Sequence, residues 1–150
     1  MTNTYQQELS ALTERLASTS KQSPDQARNL HRQAVAEAMP KMMAGQTYGE
    51  AMGGPAILNQ DEDSFRTELK TIDNDLGRQI GIVSQAFEDW LTKGEQPAPY
   101  YAWRIAVILG KAKRKEEEFA FLNAWCKHFG TVVGARYESI ARRAGKMGAL

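Results

Sequence analysis

The feature that most constrains this chain is an apolar stripe between Ser64 and Leu91. Phe65, Leu69, Ile72, Leu76, Ile80, Val83, Phe87 and Trp90 succeed one another at steps of four and three without losing phase. Residues so spaced share one side of an α-helix. Roughly 28 residues at 1.5 Å each make a rod about 42 Å long. A rod of that length serves as a beam for shorter helices. The sequence therefore predicts an all-α fold, with about six helices packed around one long central helix, roughly 62–92. No segment sustains the period-two alternation of a half-buried strand, so no sheet is expected.

The weak point of the rod is Asp73-Asn74-Asp75-Leu76-Gly77. Asp, Asn and Gly are poor helix formers and together cost about 2–3 kcal/mol relative to Ala. The stripe stays in phase across them, which favours continuity. Gly77 and Gly81 are four apart and share a face, where another element can approach closely.

The flanking segments read as shorter helices. Asn3 and Gln6 have the spacing of a capping box ahead of Tyr5, Leu9, Leu12 and Leu16. Ser23-Pro24-Asp25-Gln26 is a second helix start, with Ser at N-cap, Pro at N1 and Gln at N3. Ala27, Leu30, Ala34, Ala38 and Met42 form its apolar face, and Pro40 is expected to kink or end it near Met39. This gives an N-terminal helical pair over 4–44. Residues 45–61 hold Gly45, Gly49, Gly53, Gly54 and Pro55 and read as a loop. Within it Ala56-Ile57-Leu58 is expected to tuck back onto the core, and Asp61 or Asp63 to cap the central helix.

Gly94 and Pro97 close that helix. A C-terminal helical unit follows over 99–147. Its first helix, from Pro99, is apolar almost all round. The second opens on Glu116-Glu117-Glu118, with Phe119, Leu122, Trp125, Cys126 and Phe129 expected inside. The third buries Tyr137, Ile140, Ala141, Ala144 and Met147 and shows its cations to water.

Ile105, Ala106 and Leu109, followed by Leu122, place large and small residues as a tetratricopeptide-type hairpin does. Residues 99–130 resemble one such unit. The family's small residue early in the second helix falls on Glu118, its turn glycine on Lys113 and its later small residue on Trp125. Repeats of this kind are normally stable only in stacks. The segment is therefore read as a hairpin of similar shape, and the resemblance implies a protein-binding role.

Composition narrows function mainly by exclusion. With 42% hydrophobic and 25% charged residues the chain resembles an ordinary soluble domain of its 150 residues. No run approaches the ~20 apolar residues of a membrane span. The polar N-terminus has no apolar h-region, and one cysteine cannot form an internal disulfide, so a cytoplasmic protein is expected. Two histidines and Cys126 lack metal-ligand spacing, and Asp73-x-Asp75-x-Gly77 misplaces the glycine and the glutamate of a calcium loop. No nucleophile elbow or phosphate loop is present. No cofactor, metal or catalytic residue is expected.

Charge is more informative. Residues 1–97 carry 9 Lys/Arg against 14 Asp/Glu, and residues 98–150 carry 10 against 4. The cations Lys111, Lys113, Arg114 and Lys115 fall at one turn, and Arg136, Arg142, Arg143 and Lys146 on the last helix. These eight are the candidate binding residues. The expected function is a non-catalytic protein-interaction module or adaptor acting through a helical surface. Its partner is another protein, with a second copy docking along the long stripe as one form of this. The alternative is a nucleic-acid-binding or regulatory protein using the basic last helix on phosphates.

Overall fold

The computed structural model describes residues 5–53 and 61–150. Among them are eight helices and no strand: α1 (Gln6–Ser18), α2 (Pro24–Met43), α3 (Tyr48–Met52), α4 (Glu62–Ile72), α5 (Leu76–Lys93), α6 (Tyr100–Lys111), α7 (Lys115–Phe129) and α8 (Ala135–Met147). They fall into two compact units. The first comprises Met1–Lys21, Asp73–Gly81 and Pro99–Leu150, and the second Gln22–Ile72 and Ile82–Ala98.

The all-α expectation holds, but the rod over 62–92 does not. It is broken at Asp73–Asp75 into α4 and α5. The break is chemically provided for. Asp75 Oδ1 accepts from the Arg78 amide at 3.1 Å, an N-cap for α5. The Asp73 carbonyl, released from helical bonding, accepts from Arg104 Nε at 2.9 Å, and Asn74 Oδ1 accepts from the same guanidinium at 2.9 Å. Tyr100 Oη donates to the Asp73 carboxylate. A cap contributes about 1 kcal/mol and a hydrogen bond to a charged group about 1.5–3. Those gains add to the avoided cost of three poor helix formers, and together they favour the break over a continuous rod.

In the first unit the hub is α7, against which α1, α6 and α8 all pack, while α6 also meets α8. Phe121, Leu122, Trp125 and Phe129 are fully buried, as are Leu9 and Leu16 of α1, Ile105 and Leu109 of α6, and Ile140 of α8. Of the expected inner face of α7, Leu122, Trp125, Cys126 and Phe129 are buried, but Phe119 is 40% exposed and Phe121 is inside instead. The last carbonyls of α1 are satisfied from α7. His128 Nε2 donates to Leu16 O at 2.7 Å and Lys127 Nζ to Ala17 O at 2.7 Å. Helix α1 begins at Gln6 with Tyr5 as its N-cap residue, in left-handed backbone and without a side-chain cap. Asn3 lies outside the described residues. The Tyr5 ring lies against Gly77, where an added Cβ would come within 2.6 Å of it, whereas nothing approaches Gly81.

In the second unit α2 packs on α3 through Ala38, Ala51 and Met52. The Ser23–Gln26 capping box is present. Pro40 does not end α2, which continues to Met43. Pro40 and Ala36, whose carbonyl loses its donor, are both on the exposed side, where water can replace the bond. The loop expected over 45–61 contains a short helix, α3. Thr47 and Glu50 form a reciprocal capping box, which outweighs Gly49 inside it. Asp61 Oδ1 caps α4 through the Ser64 amide at 2.9 Å. Ala56–Leu58 lie outside the described residues. Gly94 has φ +63, and a Cβ there would fall 2.0 Å from Ala27 O.

Candidate functional site

The eight cations do not form one surface of equivalent groups. Arg114 is taken up by its own helix: its Nε and a terminal nitrogen each donate to Glu117 at 2.7 Å. This bidentate pair raises the arginine and holds the Glu117 carboxyl below its ordinary range. Arg143 Nε donates to the buried carboxylate of Glu118, and its terminal nitrogen reaches Ala106 O at 3.4 Å. Gly110 makes room for that pair, since a Cβ there would lie 2.5 Å from the Arg143 guanidinium. Arg114 therefore serves the start of α7, and Arg143 ties α8 to α7 and α6. Lys111, Lys113 and Lys115 are exposed around the α6–α7 turn. Lys113 has φ +59, the left-handed backbone that glycine adopts most easily.

The remaining three, Arg136, Arg142 and Lys146, line α8 beside Trp103 of α6. The Arg136 guanidinium lies 4.3 Å from the Trp103 ring centroid and 5.6 Å from that of Tyr100. Arg104 lies 5.6 Å from Trp103. The indole is thus held by two guanidinium groups in cation–π contact. Trp103, Ser139, Arg142, Arg143 and Lys146 enclose a cleft of about 240 Å³. Arg142 and Lys146 are exposed and form no ion pair among the described residues. The sequence placed the cations of this face; it did not place Trp103 among them. The signal was available, because Tyr100 and Trp103 cannot both turn inward with Ile105 and Leu109.

Other chemistry-bearing groups are structural. Burial pushes the Cys126 thiol up to about 11, which leaves it protonated and unreactive at neutral pH. Burial lowers His128 and overrides the opposing effect of its bond to Leu16 O. In the second unit Asp89 is buried and its carboxyl raised, burial outweighing Lys93 at 3.6 Å. Lys93 Nζ also donates to Met52 O. No group of three or more His, Cys, Asp or Glu residues is placed to hold a metal among the described residues. No helix among them is long and apolar enough to cross a membrane.

Among known proteins, no family model, no curated protein and no solved structure matches this chain.

Proposed function

We propose that the chain is a non-catalytic protein-interaction module whose binding face is the α6–α8 surface around Trp103. The observation that carries this reading is the pairing of a half-buried indole with exposed cations beside a cleft. Trp and Arg are residue types enriched among the anchors of protein interfaces. The likeness of residues 99–130 to a tetratricopeptide-type hairpin belongs to the same reading, since Ile105, Ala106, Leu109 and Leu122 are all buried. An adaptor acting in the cytoplasm is the setting this implies. Docking of a second copy along an unbroken 62–92 stripe loses its premise, because the stripe is divided between α4 and α5.

The test is site-specific photocrosslinking in the native cell. A benzophenone side chain replaces Arg142 or, as a control, the exposed Ala120 of α7. Discrete protein adducts at position 142 and not at 120 support the reading. Adducts to nucleic acid alone, or none, overturn it.

A further inference from the structure

The α6–α8 face has a charge and a length that specify its occupant, given that it is an interaction surface at all. Arg136, Ser139, Arg142, Arg143 and Lys146 recur at helical spacing on one side of α8. From Arg136 to Lys146 the row is about 15 Å long at 1.5 Å per residue. Glu118 is already engaged with Arg143. Glu138, the one carboxylate on α8, accepts from the Gly134 amide at 3.1 Å. Three positive charges on this face are left without a carboxylate partner among the described residues: Arg142 and Lys146, which line the cleft, and Arg136, which lies over Trp103.

We infer that this face takes an extended acidic segment of a partner protein, with Asp or Glu at alternate positions. Such a segment turns every second side chain to the same edge. At about 3.3 Å per residue, three carboxylates span about 13 Å, close to the length of the cationic row. Nucleic acid fits less well. Duplex binders neutralise on the order of six to ten phosphates, and three cations fall short of that. Binders of single strands stack bases on open aromatic faces. Here the Trp103 ring already carries the Arg136 guanidinium at 4.3 Å. An acidic side chain needs no such face, and it can meet the guanidinium where it lies.

The experiment is fluorescence anisotropy on the full chain with a fluorescein-labelled peptide of alternating Glu and Val, at low and at physiological salt. The expected result is binding that weakens with salt. Arg142→Glu with Lys146→Glu should weaken it at least tenfold, and Lys21→Glu should leave it unchanged. Far-UV circular dichroism confirms that each variant is folded. A single-stranded oligonucleotide of equal length that binds more tightly than the peptide overturns the inference. So does sedimentation that grows with concentration and is reversed by the double variant, which makes a second copy the occupant. If the peptide fails to bind while protein adducts still form at position 142, the acidic chemistry falls and the interaction face stands. If both fail, both fall.

Discussion

Replacing Arg104 with Met tests whether the break between α4 and α5 is held by a side chain on α6. Arg104 is 8% exposed. It donates to Asp73 O and Asn74 Oδ1, both at 2.9 Å. Methionine keeps much of the aliphatic stem, so little cavity arises, but both donors are lost. Hydrogen bonds to charged groups contribute about 1.5–3 kcal/mol each. Asn74 is exposed and Asp73 half-buried, so water partly replaces what is lost and the lower figure applies. The expected loss is about 3 kcal/mol for the two bonds together. At about 2–4 °C per kcal/mol for a chain of this size, the thermal midpoint falls by about 6–12 °C. Arg104→Lys retains the charge and can reach one acceptor, so it should lose about half as much. Asn74→Ala removes only one partner and should cost about 1 kcal/mol. Urea unfolding followed by far-UV circular dichroism gives all three differences. An Arg104→Met midpoint within about 0.5 kcal/mol of the parent, the scatter expected of an ordinary surface substitution, would refute the account of the break.

Acid should weaken the fold through His128. Its folded imidazole titrates below the ordinary 6.5, so the unfolded chain takes up the proton first. Stability therefore falls as the pH drops through about 6.5 towards the lower folded value, and the group has no effect well above that window. Urea midpoints from pH 7.5 to 5.5 should decline in the parent and flatten in His128→Gln; an equal decline in both would count against it. Gly94→Ala should destabilise by about 2–5 kcal/mol, from left-handed strain and an immovable backbone contact. Gly81→Ala, with open space around it, should instead gain up to about 1 kcal/mol, and similar denaturation midpoints for the two would refute this assignment. Cys126 in the folded protein should resist iodoacetamide at pH 8, where a thiol near 11 is about 0.1% thiolate, and react once urea is added; rapid native labelling by mass spectrometry would contradict its burial.

The sequence made the helical class readable because period-three-and-four spacing is local. Ser23–Gln26, Gly94 and the buried faces of α1 and α8 all follow from neighbours within one or two turns. The break at Asp73–Asp75 was not readable in the same way. Ile72, Leu76 and Ile80 on either side of it are all buried, so the apolar spacing did not mark it. The Asp75 cap is local, but the bonds from Arg104 that join it come from some thirty residues along the chain. The helix at Tyr48–Met52 was missed for the opposite reason: Thr47 and Glu50 announce it locally, but the surrounding glycines dominated the reading. Of the candidate site, the cations were found by counting charge. Counting could not separate Arg114 and Arg143, engaged in ion pairs, from Arg142 and Lys146, which are exposed. That distinction depends on where Glu117 and Glu118 face. Trp103 joined the site only once α6 and α8 were seen side by side.

The bonds from His128 and Lys127 to the end of α1 join residues 112 and 110 positions apart. During synthesis at about 5–20 residues per second, α1 leaves the ribosome about 5–20 s before its seat on α7 exists. Through that interval Leu9, Leu12 and Leu16 have no α7 surface to cover them. The first unit thus cannot close until α7 has been made. A nick or deletion that removes the opening twenty residues would strip one wall from the core rather than trim a tail.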